Sequence, residues 1–189
     1  AGAVTDATPV LMHPEGGLRA VVDVHEIAAM EWAAARASAA VWRIVQGAQL
    51  GDDEFTAAAR MGYAGEPLSC HVMFASASSG SPVIGLRSPN GRKLVKGDGV
   101  TTAIGFWGGL SCRAGLFTDH DEGFLEVAKA YFHGLFEWYD IADIGVAGKD
   151  IFAAVTEALD DHGLGQALNP GHLIGHDEWV HTPVRPDST

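Results

Sequence analysis

Apolar positions along the chain form helical runs, then strand-like runs, and the second half begins the same order again. From Val24 to about Ala48, the residues Ile27, Met30, Ala34, Val41 and Val45 recur at helical spacing, and the alanine content favours a long helix. Gly51-Asp52-Asp53-Glu54 opens a shorter helix with acids at its positive end, and Gly62 stops it. Strand-like runs follow at His71 to Phe74, Val100 to Phe106 and Leu110 to Phe117. The last two are joined by Phe106-Trp107-Gly108-Gly109, whose glycine pair reads as a hairpin turn. Between the first two, Ser81 to Asp98 carries Pro82, Pro89, Asn90-Gly91 and the basic residues Arg87, Arg92, Lys93 and Lys96, and reads as an irregular, solvated loop.

The second half starts with an amphipathic run from Asp121 to about Ile144, in which Phe124, Val127, Ala128, Tyr131, Leu135 and Trp138 share one helical face. Gly148-Lys149-Asp150 begins another helix to about His162. Two helix-helix-strand repeats around a curved, mostly antiparallel sheet make an α+β fold with helices on one face. Residues 1–22, rich in Gly, Pro and Ala, read as a lead-in arm, and residues 23–189 as a single domain. No room is left for a second hairpin, so the second repeat is expected to be incomplete at its C-terminal end.

With 189 residues, 47% of them hydrophobic, the chain has apolar surface for one sizeable core. The net charge of -12 argues against nucleic acid and anionic membranes, which need a basic patch to neutralise phosphates. A small-molecule substrate or a protein partner fits better. Two cysteines, Cys70 and Cys112, make neither a disulfide framework nor a zinc knuckle, so a reducing, cytoplasmic setting is expected. No apolar run approaches the roughly 18 residues of a membrane helix. Ala1-Gly2-Ala3-Val4 lacks the basic start of a signal peptide, and the absence of an initiating Met suggests a processed or partial chain.

Candidate chemistry concentrates between Leu168 and Pro183. Asn169-Pro170-Gly171 opens a run holding His172, His176, Asp177, Glu178, Trp179 and His181. Buried polar groups need partners, so a rigid loop this rich in them reads as the rim or floor of a site. An imidazole titrates near neutral pH and can take a proton from water and return it to a leaving nitrogen, which makes His172 the candidate acid and base. His176 and His181 are placed as pocket lining. Asp177 or Glu178 would orient an imidazole or bind a cationic group, and Trp179 would stack on a planar cation. The bland alternatives are a structural His172 packed on the sheet and an exposed acidic turn. A zinc pair of His172 and His176 would need a helix, which Pro170-Gly171 opposes, and His-Glu-x-x-His is absent. Trp107 either closes a pocket or serves only the turn. Arg113, on a strand expected to face the site, either binds a substrate carboxylate or pairs with an acid.

Leu94-Val95-Lys96-Gly97-Asp98-Gly99-Val100-Thr101-Thr102-Ala103-Ile104-Gly105, followed by Ser111-Cys112-Arg113-Ala114-Gly115-Leu116-Phe117, resembles the first metal-binding hairpin of the pita-bread superfamily. That superfamily contains methionine aminopeptidases, proline-specific aminopeptidases, prolidases and creatinase. Gly171-His172-Leu173-Ile174-Gly175 is similar to its Gly-His-x-Ile-Gly, whose histidine lies in the active site. The repeat order agrees, and the resemblance covers roughly Val24 to Pro183.

Departures from the family pattern bear on function. Ala103 stands where the resemblance places a bridging aspartate, and the second aspartate position falls on Ser111 or Cys112. The histidine before the first hairpin falls near Leu86, and Trp179-Val180-His181-Thr182-Pro183 replaces a His-Glu-x-Pro. Methyl, thiol and hydroxyl groups do not replace two hard carboxylates. The resemblance therefore implies a metal-independent, creatinase-like hydrolase of a C–N bond in a small polar nitrogen compound, with no cofactor and His172 as acid and base. Alternatives are a non-catalytic peptide- or protein-binding module, and a metallopeptidase with a site rebuilt from His176, Asp177, Glu178 and His181. A homodimer is expected, with Trp42, Trp138 and Tyr139 as candidate interface residues or core.

Overall fold

Asp23 starts the longest helix. Its carboxylate accepts from the backbone N–H of His25 and Glu26, while the Glu26 carboxylate accepts from the N–H of Asp23, a reciprocal cap that closes the first turn. The computed structural model describes residues 4–13, 15–81, 85, 87–175 and 183–188. They fall into two compact units. The first runs to Asp119 and includes Ile174 and Gly175; the second runs from His120 to Leu173 and includes residues 183–188.

The first unit holds α1 (Thr8–Met12), α2 (Val24–Gly47), α3 (Glu54–Ala59), β1 (Leu68–Ala77), β2 (Asp98–Phe106) and β3 (Gly109–Phe117). The three strands form an antiparallel sheet in the order β1-β2-β3. The second unit holds α4 (Glu122–Ile141) and α5 (Gly148–Asp160), and among the described residues it contributes no strand. The α+β plan is thus the observed one, and the lack of a strand after α5 among the described residues is consistent with an incomplete second repeat. The expected arm contains α1, which the Gly- and Pro-rich composition hid, and α4 stops three residues before Ile144.

Alanines explain how α2 lies on the sheet. Ala33, Ala37 and Ala40 are fully buried against Phe74, Ile104 and Phe106, and small side chains let the helix axis approach closely. The approach is tightest at Gly109, where an added Cβ would lie 2.3 Å from the N of Ala34 and 2.4 Å from the C of Ala33. Backbone cannot rotate away as a side chain can. Gly109→Ala is therefore expected to destabilise the protein by about 1–3 kcal/mol, measured by denaturant unfolding; an unchanged midpoint would show that α2 is free to lift. The neighbouring hairpin turn is present but is centred one residue before the glycine pair: Trp107 at φ 42 and Gly108 at φ 85 are both left-handed, as in a type I′ hairpin, and Gly109 opens β3.

The segment expected to be a solvated loop is instead tied into the interior. Arg87 donates two hydrogen bonds of 2.6 Å to the fully buried Glu54 carboxylate, which also accepts from the Ser76 N–H, the Ser76 hydroxyl and the Asn90 N–H. Arg92 makes a second bidentate pair with buried Asp98, at 2.6 and 2.8 Å, and donates to the Ser76 hydroxyl oxygen. Lys93 and Lys96 keep the surface character expected of the cluster: both are exposed, and Lys96 pairs with exposed Asp119 at 2.5 Å.

Candidate functional site

Strand alternation sorts the hairpin residues onto two faces. Cross-strand partners share a face, so Met73, Ala103 and Cys112 form one row, and Ala75, Thr101 and Ala114 the next row on the same side. Phe74, Thr102 and Arg113 form a row on the opposite side, the side that α2 covers. Arg113 therefore does not share a face with Ala103, contrary to the expectation that its strand presents it to the site. Its guanidinium donates to the Cys112 carbonyl at 2.6 Å and to the Ser111 hydroxyl at 3.5 Å. It lines a cavity of about 1040 Å³ with Trp42, Val45, Leu50, Phe74 and Val100, and neither Ala103, Cys112 nor His172 contributes to that lining.

The face of Ala103 is almost without charge, buried at Met73 and Ala103 and exposed at Cys112 and Ala114. Ala103 is 2% exposed, and the Thr101 and Ser69 hydroxyls are buried with no hydrogen-bond partner among the described residues. A bulge in β1 brings Ser69 and Cys70 over Gly105, where an added Cβ would lie 2.6 Å from the Ser69 oxygen and 2.8 Å from the Cys70 sulfur. Thr101 and Ser69 were missed in the sequence reading. Thr101 was accessible to it, two residues from Ala103 on an alternating strand, but the bulge that places Ser69 leaves no local signature. The superfamily resemblance implies a pair of metal ions bridged by carboxylates here. A buried methyl, two hydroxyls and a thiol do not supply the hard anionic oxygens that such ions need, so the described residues do not fit a dinuclear centre. Among them no three His, Cys, Asp or Glu side chains converge as ligands.

His172 belongs to the second unit. The Asn169 side-chain oxygen accepts from the Gly171 N–H at 3.3 Å, closing the turn that the Asn-Pro-Gly sequence predicts. An added Cβ on Gly171 would meet the Trp138 Nε1 at 3.2 Å and Val184 at 3.3 Å, so the chain passes close against the α4 indole. The His172 Nδ1 lies 3.1 Å from the Leu173 carbonyl oxygen. A carbonyl only accepts, so this contact places the ring proton on Nδ1 and leaves Nε2 as the basic nitrogen. Trp107 is at the β2–β3 turn, 47% exposed. His176, Asp177, Glu178, Trp179, His181 and Leu86 lie outside the described residues.

No family model and no curated protein matches the sequence. Solved structures match over nearly the whole chain. The prolidase from Pyrococcus horikoshii OT3 superposes with a TM-score of 0.75 at 19% identity, covering 90% of this chain and 52% of its own. The Xaa-Pro dipeptidase from Bacillus anthracis gives 0.75 at 18% identity over 93% and 56%. A dipeptidase from Mycobacterium ulcerans gives 0.72 at 26% identity over 93% and 48%. The fold is thus the pita-bread fold of prolidases and Xaa-Pro dipeptidases, and the chain spans about half the length of these structures.

Proposed function

We propose that this chain carries the catalytic-type domain of a pita-bread hydrolase that cleaves a C–N bond of a small polar nitrogen compound without metal ions. The observation that carries the reading is the row Met73, Ala103, Cys112, which offers no carboxylate where the superfamily holds its metals. His172 supplies the chemistry. Its Nε2 takes a proton from the attacking water as the new C–O bond forms, and returns that proton to the departing nitrogen as the C–N bond breaks. His176, His181, Asp177, Glu178 and Trp179 follow in the same segment and are assigned to substrate contact, with the acids and the indole suited to a cationic or planar head group. The reading includes a cytoplasmic, homodimeric protein. Among the described residues, no helix is long and apolar enough to cross a membrane.

The likeness to a prolidase and an Xaa-Pro dipeptidase supports a second reading, a dipeptidase acting on Xaa-Pro bonds with a metal site rebuilt from residues 176–181. The two are separated by assaying guanidino compounds, simple amides and Xaa-Pro dipeptides in excess chelator and again with added manganese. Turnover of a guanidino or amide substrate that persists in chelator is the expected result. Dipeptide turnover that appears only with manganese would overturn the proposal in favour of the second reading. Tight peptide binding with no turnover under either condition would make the chain a binding module.

A further inference from the structure

A pair of histidines in the second unit, outside the Leu168–Pro183 run, is arranged as a metal ligand set. His133 lies on α4 and His162 just past α5, with His133 Nδ1 and His162 Nε2 3.2 Å apart and the rings nearly perpendicular, at 88°. Two imidazole nitrogens bound to one tetrahedral zinc at about 2.0–2.1 Å stand roughly 3.3–3.4 Å from each other. The observed gap is already close to that edge.

Three features hold the pair in place. First, α4 and α5 are locked together beside it: an added Cβ on Gly134, next to His133, would lie 3.1 Å from the Leu159 Cδ2, so the helices are in contact there. Second, His162 ends α5 in a fixed cap. The Leu164 N–H donates to the Leu159 carbonyl and the Gly163 N–H to the Asp160 carbonyl, with Gly163 left-handed at φ 71. The negative end of the α5 dipole is therefore at His162, where a cation is favoured. Third, the Glu137 Oε1 lies 3.8 Å from the His133 Nε2, one helical turn along α4. At that distance, beyond hydrogen-bond reach, the carboxylate acts through its field, which favours the proton on Nε2 and leaves Nδ1 as the lone-pair nitrogen. His162 then donates its Nε2 proton to His133 in the metal-free pair. On metal binding that proton moves to the His162 Nδ1 through solvent, so both facing nitrogens become ligands without net proton release.

We propose that His133 and His162 bind one borderline divalent transition-metal ion, of the zinc, nickel or copper class, that staples α4 to the end of α5. Both ligands are nitrogens, which excludes magnesium and calcium. Among the described residues no third His, Cys, Asp or Glu completes the set, so water fills the other positions. The site is separate from the chemistry assigned to His172.

The test is calorimetric titration of the chelator-stripped, desalted chain with zinc, with thermal unfolding followed in parallel. One equivalent is expected, with a concentration-dependent rise in unfolding temperature. His133→Gln and His162→Gln should each lower the affinity at least tenfold, and the double variant should lose both the equivalent and the rise. These side chains are at the surface, so the metal-free unfolding temperatures should match the parent. Glu137→Gln should keep the stoichiometry and weaken binding by no more than a few-fold. His172→Asn should leave the isotherm unchanged, and magnesium should give none. The proposal is overturned if no zinc binds, if the double variant binds as the parent does, or if the equivalent disappears with His172→Asn instead. In that last case the metal belongs to the loop and the metal-free proposal for catalysis is contradicted separately.

Discussion

His172→Asn is expected to lower turnover of the responsive C–N substrate by about 10²- to 10⁴-fold, with KM changed only a few-fold. Asparagine suits the test because its Nδ2 can still donate to the Leu173 carbonyl that His172 Nδ1 contacts at 3.1 Å. The contact to Leu173 is then kept while the imidazole Nε2 is removed. A fall in kcat with KM maintained would mean that the imidazole acts in the transition state. A variant as active as the parent would remove His172 from the chemistry and leave it as a structural residue of the Asn169–Gly171 turn. Steady-state kinetics on the substrate found in chelator measures both quantities.

Glu54→Gln is expected to cost about 3–5 kcal/mol of stability, the range for breaking a buried charge pair by removing one partner. It should lower the thermal midpoint by on the order of 10 °C. Glu54 accepts from five donors spread over β1 and residues 87–90, and an amide can satisfy only part of them while turning its own NH₂ toward Arg87. Acid should erode the same interaction. Burial pushes the Glu54 carboxyl up, but the hydrogen bonds from Arg87, Ser76 and Asn90 outweigh it and hold it at about 2, against an ordinary 4.5. A carboxylate depressed in the folded state stabilises the fold above its unfolded pKa, so this contribution is complete above about pH 4.5 and is lost as pH falls toward 2. Asp98, held below the usual carboxylate range by the Arg92 guanidinium, adds to the loss in the same direction. Urea unfolding of parent and variant from pH 7 to 2 measures both effects. The stability gap should narrow steadily below pH 4.5; a gap independent of pH would mean that Glu54 acts by shape and not by charge.

Much of the fold was legible because it is built from local preferences. The helical periodicity from Val24, the acids before Glu54 and the Gly148 start located α2, α3 and α5 within three residues of their observed ends. The Gly108-Gly109 pair announced a hairpin, and Gly108 takes the left-handed backbone that is free for glycine, while the other left-handed position fell on Trp107. His172 stood out for a similar reason: the Asn-Pro-Gly turn that holds it is written in three consecutive residues.

What the chain's own order did not reveal depends on partners far away along it. Arg87 reads as solvated because its acid, Glu54, lies 33 positions away and becomes its partner only once α3 packs on β1, whereas Arg92 pairs with Asp98 six positions on, at the start of β2. The face that Arg113 takes follows from a register that pairs it with Thr102, and slipping that register by one residue would reverse it. His133 and His162 are 29 positions apart and meet because Gly134 lets α4 close on α5. Backbone propensity and hydrophobic period act within a few residues, so the sequence by itself determined the elements, their order and the turn that carries His172. Side-chain pairing acts through space, so only the tertiary structure decided which charges are buried, which face each strand residue takes and which histidines stand together.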